Sequence, residues 1–345
     1  MNGHELSRVD AFLLLSFGGP EGPDDVMPFL RNVTRGRGIP DERLAEVAEH
    51  YQHFGGVSPI NEQNRALIAA LETEFAAHGI ELPIYWGNRN WDPYVADAVA
   101  RMRDDGVRRA LVLATSATTS YSGCRQYRED LARARETVGD GAPELVKLRH
   151  YFDHPGFVAA AADGVRAALA GLPAEHRDGA RLVFTAHSIP VVMNDKSGPL
   201  RNGLYDAQQR ETARLVAEAV RGPGAAFDMA WQSRSGPPSV PWLEPDINDH
   251  LTQLAAQGVR SVVVAPTGFV SDHVEVRWDL DTEARETAAE LGIAFARAAT
   301  AGVHPAFVAA VRELVEERLR GAAPRLLGDL GLCGVDCPDG CCPPR

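Results

Sequence analysis

The chain has 345 residues, 45% of them hydrophobic, which suffices for a large core and for two domains of ordinary size. Its 35 basic and 47 acidic residues give a net charge of -12, which opposes non-specific attraction to nucleic-acid phosphates or anionic lipid. Any anionic ligand must therefore be held by local basic groups.

The N-terminus, "MNGHELSRVDAFLLLSFGGP", lacks the basic start and small-residue cleavage site of a signal peptide, and no uncharged stretch is long enough to span a membrane. A cytoplasmic protein is expected, and in a reducing compartment clustered cysteines favour metal over disulfides. In chain order, "AFLLLSF" reads as a first strand. The basic stretch "TRGRG", with Arg35 and Arg37, is too brief for a nucleic-acid patch. A helix follows in "EQNRALIAALETEF", with Leu67, Ala70, Leu71 and Phe75 on one face. Then come "PIYWGNRN", "VADAVARMRDD" and "RRALVLATSA", a β-α-β rhythm. The second half repeats it with "ARLVFTAHSIP", "DAQQRETARLVAEAV", "FDMAWQSRSG", a helix around Ile247 to Ala256, and "SVVVAPTGFV". Phe307, Val311, Leu314, Val315 and Leu319 make a last amphipathic helix. The pattern predicts an α/β chain with parallel sheets covered by helices on both faces.

The two halves match in three places in one order. "LLLSFGGP" lies beside "LVFTAHSIP", pairing Phe17 with His187 and Pro20 with Pro190. "WGNRNWDP" lies beside "WQSRSGPP", pairing Trp86 with Trp231, Arg89 with Arg234 and Pro93 with Pro238. "GVRRALVLATSATTSYSGCRQY" lies beside "GVRSVVVAPTGFVSDHVEVRWD", pairing Tyr121 with His273 and Gly123 with Glu275. Two similar domains are expected: residues 1–160, then 161–304, a C-terminal helix at 305–325 packing back across them, and a cysteine-rich tail at 326–345. Ligands of open α/β sheets bind beyond the carboxyl ends of the strands, so the expected site is a cleft between the two sets of loops.

The titratable groups His187, His273 and Glu275 belong to the second copy, where the first has Phe17, Tyr121 and Gly123. A strand-end histidine can accept a proton near neutral pH or bind a metal, the alternative being a histidine hydrogen-bonded at a turn. Asp272, His273 and Glu275 together can hold a divalent cation or relay protons, the alternative being a helix-capping turn. The chain has no G-x-G-x-x-G, no G-x-x-x-x-G-K-[ST], no H-E-x-x-H and no G-x-S-x-G. Four of its five cysteines, Cys333, Cys337, Cys341 and Cys342, crowd the final "CGVDCPDGCCPPR". A zinc site within the tail, or an unmetallated tail, are the readings open from spacing alone.

"LLLSFGGP", "HFGGVSPIN", "GNRNWDPY", "TAHSIP", "WQSRSGPPSVPWLEPD" and "FVSDHVEVRWDLD" together resemble the ferrochelatases, most closely those acting on coproporphyrin, from about Asp10 to about Arg320. The resemblance implies a chelatase-like fold of two Rossmann-like domains, a porphyrin and Fe(II) as substrates, and heme biosynthesis as the setting. A protoporphyrin IX ferrochelatase, another tetrapyrrole chelatase and a non-catalytic porphyrin or heme carrier are the alternatives. It assigns proton abstraction and metal delivery to His187 and Glu275, and contact with the porphyrin to Ser58, Tyr127, Phe17, Tyr51 and Arg89. Several relatives carry tyrosine where this chain has Phe17, which cannot ligate product iron. The resemblance also implies a two-iron, two-sulfur cluster on Cys124, Cys333, Cys337 and Cys342, with Cys341 as the spare, in a monomer with no nucleic-acid partner and no transmembrane segment.

Overall fold

A computed structural model describes residues 9–344 apart from 37, 237, 238 and 336, so Arg37 and Pro238 lie outside the described residues. The chain divides into two units: residues 1–115, 126–149 and 308–324 form one, and residues 116–125, 150–307 and 325–345 the other.

In the first unit, β1 (Ala11–Ser16) is buried at all six positions, as a central parallel strand covered on both faces must be. It lies between β2 (Ile84–Asn88) and β3 (Arg109–Ala114), and β4 (Glu144–Lys147) completes a parallel sheet of order β2-β1-β3-β4. Alternate side chains serve opposite faces. Leu13 and Leu15 pack with Val95, Val99 and Met102 of the helix Val95–Asp104 and Leu131 of the helix Gln126–Val138. Phe12 points the other way and meets Phe75 of the helix Ile60–Ala77 edge to face at 5.4 Å. Burying each such side chain contributes about 2 kcal/mol over leaving it exposed.

The second unit repeats this plan. β5 (Arg181–His187), β6 (Asp228–Gln232), β7 (Ser261–Ala265) and β8 (Ala294–Arg297) form a parallel sheet of order β6-β5-β7-β8. Leu182, Phe184 and Ala186 pack with Val165 of the helix Pro155–Gly171 and Val216 of the helix Leu204–Arg221. Val183 faces Ile247 and Leu251 of the helix Ile247–Ala256 on the other side.

Hydrogen bonds fix the correspondence residue by residue. Glu144 N donates to Arg108 O and Ala294 N to Arg260 O, while Leu148 N donates to Val112 O and Ala298 N to Val264 O. The third sequence match therefore holds along the strand. Phe12 lies opposite Leu111, and Leu182 opposite Val263, which makes Phe12 the counterpart of Leu182 and Phe17 that of His187. The first match holds too.

The middle match is corrected by the register. Asn88 lies opposite Ser16 and Trp231 opposite Ala186, so the counterpart of Trp231 is Asn88 rather than Trp86. Likewise Asn88 N donates to Pro93 O and Trp231 N to Pro245 O, making Pro245 the counterpart of Pro93. The shared "W..R" spelling misaligned the copies because the second has a longer loop between β6 and its proline.

Candidate active site

His187 is the last residue of β5, so its side chain stands at the carboxyl end of a central strand. Its Nε2 lies 3.6 Å from Glu275 Oε2, with the two side chains 38% and 43% exposed. Nδ1 lies 2.5 Å from Ser188 O. A carbonyl only accepts, so Nδ1 carries the hydrogen, and in the neutral ring Nε2 presents a lone pair toward a carboxylate that also only accepts. The pair is thus complementary to a proton or a cation, and to little else.

Glu275 is the middle residue of a short helix, Val274–Val276, that runs into a π-helical turn at Arg277–Glu283. Such turns are rare and recur at functional sites. Four residues on from Glu275, Asp279 Oδ2 accepts from Gln232 Nε2 at 3.1 Å and from the Ser233 hydroxyl. Burial pushes the Asp279 carboxyl up to about 7, the bonds from Ser233 and Gln232 oppose the rise, and the Glu275 and Glu283 carboxylates add to it. Gln232 also accepts from Thr185 Oγ1 at 3.0 Å, so the buried polar groups beneath Asp279 are joined. Glu283 Oε1 accepts from Trp278 Nε1 at 2.9 Å. Sequence reasoning singled out neither Asp279 nor Glu283. Their signal was the spacing of four within "EVRWDLDTE", which stacks Glu275, Asp279 and Glu283.

Asp272 departs from expectation. Both its oxygens accept from Arg297, at 3.1 and 3.0 Å, and Arg297 is also bonded to Asp281. Asp272 is therefore spent on an ion pair and leaves His273 and Glu275. Burial holds the His273 imidazole below its usual value; Glu275 opposes this and His187 adds to it. His273 packs edge to face on Phe269 at 5.1 Å.

The five residues expected at the porphyrin lie in the first unit. Phe17 is partly exposed and packs at 6.4 Å on Phe29, which also meets Tyr51 and Trp91. Tyr51, Ser58 and Tyr127 are buried. A Cβ on Gly19 would come within 2.6 Å of Ser58 Cβ, so glycine is what lets this loop close. Arg89 is only 5% exposed, is ion-paired to Asp130, and lies 4.5 Å from the Tyr127 ring. Burial raises the Tyr127 phenol and Arg89 acts in the opposite sense. The Arg89 charge is thus already matched.

All five cysteines are free and lie in the second unit. Cys333 hydrogen-bonds with Cys337, which lowers its thiol with help from Thr119, while burial and the neighbouring Cys124 and Cys342 act in the opposite sense. Cys342 Sγ accepts from Gly198 N at 3.2 Å and lies 3.3 Å from Thr119 Oγ1. Burial raises the Cys341 thiol, whose sulfur sits 3.5 Å from that of Cys342. Gly334 has φ +91, and a Cβ there would meet His150 at 2.2 Å, so the tail can lie this close only with glycine. Among the described residues no three of His, Cys, Asp or Glu converge as a single metal ion would require.

Residues 9–319 match the family profile described as Ferrochelatase. The chain is 60% identical over 344 residues to the coproporphyrin III ferrochelatase of Nocardia farcinica, covering 98% of this chain and 97% of the relative. It is 58% identical over 356 residues to the coproporphyrin III ferrochelatase of Streptomyces coelicolor, covering 99% and 95%. Among solved structures, SirB from Bacillus subtilis with Fe3+ superposes with a TM-score of 0.54 at 11% identity, covering 91% of this chain and 97% of that one, a likeness of fold.

Proposed function

The chain belongs to the ferrochelatase family, and from that premise we propose that it inserts Fe(II) into coproporphyrin III to give Fe-coproporphyrin III in heme synthesis. The observation that carries the assignment to residues is the His187 Nε2 lone pair facing Glu275 Oε2 at 3.6 Å. Insertion replaces two pyrrole N–H bonds by bonds to iron and releases two protons, with no change of oxidation state. His187 Nε2 accepts a pyrrole proton, and Glu275 receives the arriving cation or passes the proton on. Asp279, held near neutrality by burial, is the next group able to take that proton before Glu283 and water. Phe17, Tyr51, Ser58, Arg89 and Tyr127 are assigned to the porphyrin; Phe17 offers an aromatic face, whereas Arg89 acts by holding Tyr127.

A two-iron, two-sulfur cluster fits the tail in its donor chemistry: Cys333 has Cys124, Cys337 and Cys342 as neighbours, the thiols are mostly buried, and N–H and O–H groups on Cys342 are of the kind that support metal-bound thiolates. Such a cluster divides its thiolates between two irons, so convergence on one point is not needed. Cys124, Cys333, Cys337 and Cys342 would hold it. When bound it supplies structural cross-linking, since insertion requires no electron transfer. Cys341, whose thiol is raised by burial and by Cys342, is the spare. No helix among the described residues is long and apolar enough to cross a membrane, and the assignment is to a cytoplasmic monomer.

The test is anaerobic incubation of purified protein with Fe(II) and coproporphyrin III, with protoporphyrin IX in competition. The metallated coproporphyrin spectrum should develop under turnover and be lost in His187→Ala. A wild-type protein that binds the ring and leaves it metal-free would be a carrier.

A further inference from the structure

The His187 backbone is held by a residue outside the proton-transfer chain. Tyr205, second residue of the helix Leu204–Arg221, donates its hydroxyl to His187 O at 2.8 Å. Its ring packs on Trp231 at 5.8 Å, and its phenol is raised by burial. The Tyr205 backbone N in turn donates to Ser197 Oγ at 2.8 Å. The next residue, Gly198, donates its N–H to Cys342 Sγ.

A second route leaves the same helix. Gln208 Oε1 accepts from Thr119 N at 2.7 Å, and Gln209 Nε2 donates to Thr118 Oγ1 at 3.1 Å. Gln209 is also a neighbour of the Tyr205 phenol. Thr119 Oγ1 returns to Cys342 Sγ at 3.3 Å, closing a ring of contacts. Ser197, Gln208, Gln209 and Thr119 are at most 1% exposed, so breaking any one of these contacts strands a buried polar group away from water. The members therefore move together or not at all.

We infer that Tyr205 is a positioning residue for His187 and that, through Ser197–Gly198 and through Gln208–Gln209 with Thr118–Thr119, it makes the placement of that histidine depend on how the cysteine tail is seated. This rests on His187 being the group that takes the pyrrole proton. The tail would then act on the reaction by geometry alone, since a strand-end imidazole displaced by even part of an ångström loses its alignment with the pyrrole nitrogen.

Tyr205→Phe deletes the hydroxyl and keeps the ring on Trp231. Expected are a fall in kcat of about tenfold, with the KM for coproporphyrin III within about twofold, and a displaced His187 ring signal in histidine-labelled NMR spectra. Cys342→Ser and Thr119→Val, the second of which leaves every thiol in place, should displace the same signal in the wild-type background. In the Tyr205→Phe background their effects should shrink, as for coupled sites in a double-mutant cycle. Unchanged kcat and an unmoved His187 signal in Tyr205→Phe would overturn the positioning role. A signal indifferent to both tail-side variants would overturn the coupling. Failure of the wild type to insert iron would instead remove the functional assignment, while the NMR cycle still decides whether tail and histidine are coupled.

Discussion

His187 is bonded through Nδ1 to the carbonyl of its own neighbour Ser188, at 2.5 Å, and this contact decides which nitrogen faces Glu275. The strand end thus sets the tautomer before any substrate arrives. On the proposed roles, His187→Ala removes the base and Glu275→Gln removes the charge that receives cation or proton. Each should lower kcat by about 100-fold or more while porphyrin affinity, read from fluorescence quenching, stays within a few fold. Equal loss of affinity and kcat would mean these residues bind the ring and do not transfer protons.

Asp279 should give the protein a pH signature. Its folded-state pKa of about 7 lies above the ordinary carboxylate value, so between the two the folded chain keeps a proton that the unfolded chain has released. Stability contributed at this site is therefore present at low pH and lost as pH rises through about 7. Asp279→Asn is near-isosteric with the protonated acid. It should melt close to wild type at about pH 4 and increasingly above it as pH rises to about 8. A gap that does not grow with pH would show that Asp279 is charged throughout.

Arg89 and Asp130 are 5% and 11% exposed, and when Arg89 is lost Asp130 keeps its second ion pair, with Arg133. Arg89→Leu should therefore cost about 2 kcal/mol of stability in denaturant unfolding, and Arg89→Leu with Asp130→Leu should recover much of it. If Arg89 instead binds a substrate carboxylate directly, the single variant would keep its stability and raise only the KM for coproporphyrin.

The tail makes a prediction about which thiol is dispensable. Anaerobically purified wild type should show the absorption and Mössbauer spectrum of a two-iron cluster. Cys341→Ser should keep it; Cys124→Ser and Cys342→Ser should abolish it. An intact cluster in Cys124→Ser would confine the ligands to the tail.

The reach of the sequence can be judged from its own repeat. Strand grammar alone aligned Phe17 with His187 and the β3 and β7 segments, because buried parallel strands must be continuous apolar runs ending in turn residues, and those runs repeat in order. It placed His187 and Glu275 together for the same reason, as polar residues at the ends of neighbouring strands. It misaligned Trp86 with Trp231, since a matching tryptophan says nothing about hydrogen-bond register.

What sequence determined was the α/β class, the doubled frame and the titratable pair, all of which follow from local periodicity and residue type. Tertiary structure alone decided that Asp272 is taken by Arg297, that Asp279 is buried enough to hold a proton near neutral pH, and that Cys342 reaches Gly198 and Thr119. Desolvation and long-range hydrogen bonding depend on what surrounds a group in space, and sequence spacing does not carry that information.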